Sequence, residues 1–149
     1  MGVPLLPSLV LALALALALA VALPAAWAWL RPPAVIWQDD LAAGLSQARR
    51  DGRPALLLFH ADWCEGCGPL ADAFAVRAVQ RQARRFVTVR VDLTALDASA
   101  RAVMQVYGVQ GLPAVVFLDM AGAILPLPRV LGFVPADELA SRLRAVPDE

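Results

Sequence analysis

The feature that most constrains the fold is a pair of cysteines that follows a short apolar run. Residues 55–59 are apolar throughout, and Cys64-Glu65-Gly66-Cys67 comes shortly after them, with the only two cysteines among 149 residues. An unbroken apolar run of this length predicts a strand that is buried on both faces. A buried strand that leads through C-x-x-C into a helix is typical of a redox site. The pattern therefore predicts an α/β domain whose first buried strand ends at a dithiol.

The spacing of the two cysteines suits thiol–disulfide exchange. A helix N-terminus stabilises negative charge, and such settings lower a cysteine pKa from about 8.5 to between about 3.5 and 7.5. Cys64 can then attack a disulfide, and Cys67, one helical turn later, can resolve the mixed disulfide. A purely structural disulfide is the alternative, but so small a loop removes little chain entropy from the unfolded state.

Composition argues against several other kinds of site. A closed zinc site needs four ligands, commonly Cys or His, whereas the chain has two cysteines and one histidine, His60. We therefore expect no metal, and no cofactor beyond a redox-active disulfide. The formal net charge is zero, so nothing predicts a nucleic-acid partner.

The N-terminal segment is apolar enough to cross a membrane. Residues 3–30 contain no charged side chain, and residues 5–23 are almost entirely Leu, Ala and Val. As a helix, residues 5–23 would be about 28 Å long, close to the ~30 Å thickness of the hydrocarbon core. Trp27 and Trp29 lie where an interfacial aromatic belt is expected. We interpret residues 1–30 as a single-pass signal-anchor and residues 31–36 as a linker to a domain over residues 37–149.

A cleaved signal peptide is the alternative interpretation of this segment. Ala26-Trp27-Ala28 fits the small-x-small cleavage pattern, although the apolar run is longer than usual and no Lys or Arg precedes it. Arg31 follows the span, and charge alone would place the domain in the cytoplasm. If the segment directs export, either as an uncleaved anchor or as a cleaved signal peptide, the cysteines instead lie outside the cytoplasm.

The remaining pattern predicts helices and strands in the order α-β-α-β-α-β-β-α. We expect Pro69 to bend the second helix near its start. The predicted elements are a helix capped by Asp39 or Asp40, strand 55–60, a helix after Trp63, strand 86–92, a helix capped by Thr94 or Asp97, a strand opened by Pro113, a short strand around residues 130–131, and a helix started by Pro135 and Asp137.

Several motifs resemble the thioredoxin superfamily and, more closely, the C-terminal periplasmic domain of thiol:disulfide interchange proteins of the DsbD type. Together with the spacing between them, the matching stretches cover residues 54 to about 144. The resemblance implies a thioredoxin-like fold, with a central mixed β-sheet flanked by helices. The matching stretches are residues 61–67, 91–94, 107–113 and 132–133.

The resemblance also implies a role for each residue around the cysteine pair. Cys64 is expected to be the attacking thiol and Cys67 the resolving thiol. Pro113 is expected to be the family's cis-proline, packed beside the pair. Leu112 is expected to offer its backbone to an extended substrate, and Trp63 to cover one side of the site.

The sequence departs from the family at two positions of the strand before the cysteines. Leu58 stands where thioredoxins have a buried Asp, and His60 stands where the family usually has an aromatic residue. Proton transfer at the resolving cysteine is then left to Glu65, Asp62, His60 or water. Asp62 and Glu65 also oppose the helix dipole, so we expect a higher Cys64 pKa and a less oxidising disulfide. This favours a reductant or isomerase over an oxidase.

The predicted function is that of a protein-disulfide reductase on the periplasmic side of a bacterial inner membrane. Its partners would be protein disulfides and, by resemblance, a membrane electron donor of the DsbD or CcdA type. The alternative is a thioredoxin-like binding module whose redox activity is incidental. Arg81, Arg84 and Arg85 form a basic cluster that we interpret as a solvated helix end, with a docking patch as the alternative.

Overall fold

The computed structural model describes residues 10–20, 34–127 and 129–147. The chain divides into two units, Met1–Pro32 and Pro33–Glu149. Residues 10–20 are helical (α1) and exposed. Within the described ranges, no helix has both the length and the apolar character needed to cross a membrane. Most of the predicted anchor and the first linker residues, 31–33, lie outside the described residues, so the anchor stays a prediction.

The second unit is built on one mixed sheet of five strands in the order β1-β3-β2-β4-β5. Strands β1, β3 and β2 are parallel, whereas β4 runs antiparallel to β2 and β5 antiparallel to β4. The mixed sheet expected from the resemblance is therefore confirmed. The strands are β1 Trp37–Gln38, β2 Ala55–His60, β3 Val87–Asp92, β4 Ala114–Leu118 and β5 Val130–Leu131.

Helices cover both faces of this sheet. Successive residues of a strand point to opposite faces, and β2 supplies buried side chains to both. Leu56 and Leu58 join a core cluster with residues of α3, α4 and α6, while Leu57 and Phe59 join a second cluster that includes Ala48 of α2 and Ala100 of α5. The helices are α2 Leu41–Asp51, α3 Cys67–Ala75, α4 Arg77–Ala83, α5 Ala98–Tyr107 and α6 Ala136–Ala145.

Two helices are capped as the sequence predicts. The side chains of Asp40 and Asp97 accept hydrogen bonds from backbone N–H groups in the first turns of α2 and α5. Both helices end at a glycine in the left-handed region, Gly52 with φ 58° and Gly108 with φ 61°. Glycine occupies this region without the steric cost that a Cβ imposes. Of the predicted alternatives, Asp40 and not Asp39 caps α2, and Asp97 and not Thr94 caps α5.

The first element of the domain is a short strand that the sequence analysis did not predict. Trp37 and Gln38 pair with Thr88 and Val89 of β3. Thr88 is a polar residue of β3, yet it is only 4% exposed. Its hydroxyl donates to the carbonyl of Ile36 at 2.6 Å. The chain before α2 therefore pairs with β3 along the edge of the sheet, and it provides the hydrogen-bond acceptor for the buried Thr88 hydroxyl.

The helix after the cysteines is broken, but not where Pro69 predicted. Pro69 lies in the first turn of α3, where a backbone N–H has no intrahelical acceptor to lose. The break comes at Val76, whose extended backbone (φ −73°, ψ 133°) ends α3 and caps α4. The new direction places Val79 and Ala83 of α4 in the same buried cluster as α6.

Candidate active site

The two cysteines form a disulfide where the loop after β2 meets α3. The Cα atoms of Cys64 and Cys67 are 5.4 Å apart, and the χ3 angle is 87°. The Cys64 N–H donates to the Ala61 carbonyl at 3.2 Å, and the Cys67 N–H donates to the Cys64 carbonyl at 3.1 Å. Helix α3 begins at Cys67 with Gly66 as its N-cap. Cys64 therefore lies just ahead of the helix N-terminus, and consecutive turns hold the pair at the C-terminal end of the central strand.

Thr94, which follows β3, holds the loop that leads to Cys64. Its hydroxyl oxygen accepts from the Asp62 N–H at 3.0 Å, and its carbonyl accepts from the Trp63 indole N–H at 3.0 Å. The same hydroxyl donates to the Asp92 carboxylate, which also accepts from the Thr94 N–H at 2.8 Å. The Trp63 side chain is thus fixed at one end, although it is 56% exposed.

The sequence alone indicates Thr94 only as a possible helix cap and as part of a motif that resembles the family. A usable signal was the parallel register of β2 and β3, which places His60 opposite Asp92. Asp62 and Thr94 each come two residues later, so equal steps along parallel strands bring them together.

These hydrogen bonds also act on the charge of Asp92. The Thr94 hydroxyl, and next the Thr94 backbone N–H, lower the pKa of the Asp92 carboxyl by stabilising its ionised form. The nearby His60 and Arg90 add smaller effects of the same sign. A group whose pKa is lowered by folding stabilises the fold above its unfolded pKa of about 3.9, and this contribution is lost as the pH falls through its folded pKa.

A Thr94→Val variant is expected to be less stable than the wild type by about 1 kcal/mol at pH 7, the usual value of a hydrogen bond. Because the lost bond acts on ionised Asp92, the deficit should shrink once acid protonates that carboxylate. Urea unfolding at pH 7 and at successively lower pH, through the lowered pKa of the Asp92 carboxyl, measures the deficit at each pH. Thr94→Ser keeps the hydroxyl and is the control. A deficit that stays the same over the whole range would contradict the assignment.

Pro113 packs against the motif from the other side, as the resemblance implied. The Leu112–Pro113 peptide bond is cis. The Pro113 ring is buried, and its carbonyl accepts from the Gly132 N–H at 2.8 Å. A Cβ placed on Gly66 would lie 3.2 Å from the Pro113 Cδ. Gly66 therefore permits the close approach of the proline to the disulfide loop.

Two glycines of the motif provide a matched test of this approach. Gly66→Ala is expected to destabilise the protein, because the new methyl meets the pinned Pro113 ring and alanine is a poor N-cap. Gly68→Ala, in α3 with nothing within 4 Å of the added Cβ, should stabilise it by about 0.5–1 kcal/mol. Chemical denaturation of the oxidised proteins measures the difference. If both substitutions raised the stability by a similar amount, the Pro113 ring would have to move away from the methyl group added at Gly66.

Exposed apolar side chains lie around this junction. Leu131 pairs with Ala114, directly after Pro113, and is 59% exposed, while Phe133 is 53% exposed. Leu112 is half-buried, and within the described part of the chain its backbone groups form no hydrogen bond. An unpaired backbone beside apolar side chains is the arrangement that an extended peptide can join.

The charged and titratable residues near the motif are placed as follows. Asp62 and Glu65 are exposed, and His60 is half-buried at the end of β2. Leu58 is 4% exposed and belongs to the core. Among the described residues, no group of three or more His, Cys, Asp or Glu side chains could hold a metal ion.

Comparison with known proteins agrees with this geometry. A family model described as thioredoxin-like matches residues 36–120. The thiol:disulfide interchange protein DsbD of Yersinia enterocolitica is 36% identical over 108 residues, which are 72% of this chain and 18% of that protein. DsbD of Cronobacter sakazakii is 37% identical over 106 residues, with shares of 70% and 18%. The chain thus matches less than a fifth of the length of these relatives.

Solved structures show the same relationship. The reduced DsbD C-terminal domain of Neisseria meningitidis has 26% identity and a TM-score of 0.63, covering 73% of this chain and 97% of that one. A thioredoxin from Thermus thermophilus has 26% identity and a TM-score of 0.64, covering 75% and 86%. These similarities confirm the resemblance to the DsbD C-terminal domain and support disulfide oxidoreductase activity. The chain belongs to the thioredoxin-like family.

Proposed function

We propose that the protein is a thiol–disulfide oxidoreductase that exchanges electrons with protein disulfides through Cys64 and Cys67. The observation that carries the proposal is the Cys64–Cys67 disulfide at the end of the central strand, with the Pro113 ring packed against Gly66 between the two cysteines. Sites of α/β sheets lie at this end of their strands.

The exchange proceeds in two substitutions at sulfur. In the reduced protein, the Cys64 thiolate attacks a client disulfide, forms a mixed disulfide and releases one client sulfur as a thiolate. The Cys67 thiolate then attacks the Cys64 sulfur, closes the Cys64–Cys67 disulfide and releases the second client thiolate. Two electrons pass to the client, whose two thiolates take up the two protons that Cys64 and Cys67 gave up.

The client is proposed to bind as an extended strand beside the disulfide. The free backbone groups of Leu112 supply main-chain hydrogen bonds. The exposed rings of Trp63 and Phe133 supply apolar contacts. Because main-chain hydrogen bonds are independent of the side chains, this mode of binding suits more than one client sequence.

The direction of exchange is proposed to be reduction of the client. The exposed carboxylates of Asp62 and Glu65 flank Trp63-Cys64, and negative charge there disfavours a thiolate on Cys64. A less stabilised thiolate makes the disulfide less oxidising. Equilibration with glutathione or dithiothreitol buffers measures the reduction potential. We expect it below about −150 mV, and a value near the −120 mV of strong oxidants would overturn the reducing role.

The proposed location is the periplasmic side of a bacterial inner membrane. Residues 1–30 would act as the anchor, residues 31–36 as a linker, and residues 37–149 as the thioredoxin-like domain. A soluble periplasmic form after signal cleavage is the alternative. The relatives named as DsbD support a membrane donor of the DsbD or CcdA type as the source of electrons.

A Cys67→Ser variant tests the client and the compartment in cells. Without the resolving thiol, Cys64 should stay joined to its clients, and they should migrate with it on non-reducing gels. In the fraction of this variant that is not joined to a client, a membrane-impermeant thiol reagent should label the free Cys64 thiol in intact spheroplasts. The Cys64→Ser/Cys67→Ser double variant is the control and should capture nothing covalently.

Three results would argue against the proposals. Absence of mixed disulfides from cells would count against exchange. Partners that the double variant retains equally well would favour the binding module. Labelling only after lysis would place the domain in the cytoplasm.

A further inference from the structure

We propose that His60 is the base that takes the proton from Cys67 when this cysteine closes the disulfide. The inference rests on the proposed exchange through Cys64 and Cys67, and it names the group that moves one of the protons. Imidazole is the side chain that ordinarily gains or loses a proton between pH 5 and 8, and His60 is the only histidine of the chain.

The imidazole of His60 lies on the face of the sheet that α3 covers. Leu58 of β2 packs in one core cluster with Leu70 and Phe74 of α3, whereas Phe59 belongs to the cluster on the other face. His60 ends the same strand two residues after Leu58. Because side chains alternate between the two faces along a strand, the His60 side chain points to the same face as Leu58, towards α3.

The N-terminal end of α3 lies at the end of β2 where His60 is. A Cβ placed on Gly66, the N-cap of α3, would lie 3.2 Å from the Pro113 Cδ. The residue after Pro113 pairs with Phe59, which directly precedes His60. Cys67, the first residue of α3, is therefore close to the end of β2.

The C-terminal end of α3 lies near the start of β2. The ring centroid of Phe74 lies 5.0 Å from that of Trp37 on β1. Trp37 pairs with Thr88 of β3, and Thr88 pairs with Leu56, the second residue of β2. Helix α3 therefore runs antiparallel to β2.

His60 and Cys67 lie at a similar height above the core. From Leu58, two residues of strand lead about 6.6 Å towards the disulfide end and reach His60. From Leu70, which shares a cluster with Leu58, three residues of helix lead about 4.5 Å in the same direction and reach Cys67. The imidazole therefore points to the first turn of α3, which Cys67 begins.

Burial and basicity favour His60 over the two carboxylates near the cysteines. His60 and Cys67 are both half-buried, whereas Asp62 and Glu65 are exposed. Proton transfer is most effective when the base has a pKa near the working pH. The ordinary pKa of imidazole, about 6.5, meets this condition better than that of a carboxylate, about 4.

Asp92 lies beside the imidazole on the same face. It pairs with His60 in the parallel register of β2 and β3. The Thr94 hydroxyl and N–H lower the pKa of the Asp92 carboxyl most, and the charge of His60 lowers it further. Both Thr94 bonds end on Oδ1, which leaves Oδ2 for the imidazole. An ionised carboxylate there stabilises the imidazolium that forms once the ring has taken a proton.

The other charged groups on the neighbouring elements are paired or directed to solvent. Arg90, on the same face of β3, forms an ion pair with Asp39 at 2.9 Å. Asp72 of α3 is exposed and lies more than one turn into the helix. Strand β4 has no charged residue. Within the described ranges, Asp92 and the two cysteines are therefore the titratable groups that His60 faces.

His60 moves the Cys67 proton in the second step of the exchange. In the mixed disulfide, the neutral imidazole accepts the proton of the Cys67 thiol, and the resulting thiolate attacks the Cys64 sulfur. The Cys64–Cys67 bond forms as the bond between Cys64 and the client sulfur breaks, and the client leaves as a thiolate. The imidazolium then gives the proton to that thiolate or to water.

The two steps separate when the reduced full chain, in detergent and in excess, reacts with dithiobis-nitrobenzoate. This disulfide releases one coloured thiolate on attack by Cys64 and a second on resolution by Cys67, so Cys67→Ser should give the first release alone. His60→Gln should keep the first release and slow the second about 30-fold at pH 7, where a free thiol is only a few per cent ionised. The difference should shrink above about pH 9, where the thiol loses its proton to solvent.

A double variant tests whether Asp92 acts through His60. Asp92→Asn alone should slow the second release, because the imidazolium loses its stabilising charge. In the His60→Gln background, the same substitution should have no further effect, because residues that act as a unit are not additive. An Asp92→Asn effect that persists in full in that background would overturn the role of Asp92.

Further outcomes separate the base from the exchange itself. A second release from His60→Gln at the wild-type rate, or one that stays slow at every pH, would overturn the proposal. A slow second release in Asp62→Asn or Glu65→Gln instead would assign the proton to that carboxylate. Absence of any release from the wild type would refute the proposed exchange rather than the role of His60.

A measurement on the reduced wild type needs no substitution. Because the chain has one histidine, every imidazole NMR signal belongs to His60. We expect nuclear Overhauser contacts between these ring protons and the β-protons of Cys67. Their absence would overturn the assignment even if His60→Gln failed to fold.

Discussion

A Cys64→Ser variant is expected to reduce insulin at least about 1,000-fold more slowly than the wild type, the scale of effect seen when a nucleophile is removed. The serine hydroxyl is not ionised near neutral pH and cannot form the mixed disulfide that transfers the electrons. Insulin precipitation with dithiothreitol as the electron source measures the rate. Turnover by this variant at the wild-type rate would refute exchange through the C-x-x-C pair.

The Cys67→Ser variant separates attack from resolution when it is first reduced and then mixed with insulin without dithiothreitol. It should form about one equivalent of mixed disulfide quickly and then stall, because neither Cys67 nor an added reductant releases the client. Both variants should unfold at a urea concentration close to that of the reduced wild type, because none of these three forms contains the Cys64–Cys67 disulfide. A large fall in stability would mean that lost folding, rather than lost chemistry, explains the missing turnover.

Phe59→Ala is expected to cost about 3–5 kcal/mol of unfolding free energy, a large share of the 5–15 kcal/mol typical of a domain. Phe59 is 0% exposed on the central strand, and its ring centroid lies 5.7 Å from that of Tyr107 on α5. Removing the ring leaves a cavity between the sheet and that helix, directly below the loop that carries the cysteines. Urea unfolding of the oxidised protein measures the loss.

Phe133→Ala is the matched control for this substitution. It removes the same ring from a side chain that is 53% exposed, so we expect a change within about 0.5 kcal/mol. The same variant should bind extended clients less well, because Phe133 contributes to the apolar surface beside Pro113. A comparable loss of stability from both substitutions would contradict the central placement of β2.

The sequence predicted the elements whose signals are local. The apolar run before the cysteines contains its own evidence for a buried strand, and Asp40 and Asp97 cap helices through residues three positions away. Strand β1 has no such signal, because its two residues become a strand only by pairing with Thr88 and Val89, about fifty residues later. The break at Val76 likewise depends on how α4 packs beside α6.

The candidate site divides in the same way. The cysteines and Pro113 belong to motifs that can be recognised along the chain. The hydrogen bonds of Thr94 to Asp62 and Trp63 depend on the register between two strands, and the contact of Gly66 with Pro113 depends on the strand order. Neither follows from composition or spacing, since both are distances between segments that folding brings together.

The close approach of Gly66 to Pro113 makes the two positions between the cysteines unequal in what they tolerate. A side chain at Glu65 extends into solvent and can change charge or size without meeting the proline, whereas any side chain at Gly66 meets the Pro113 ring. Variation of the dipeptide, by mutation in nature or in a randomised library, would therefore concentrate at position 65. The electron affinity of the pair could then be adjusted by charge at one residue while the shape of the docking surface stays constant.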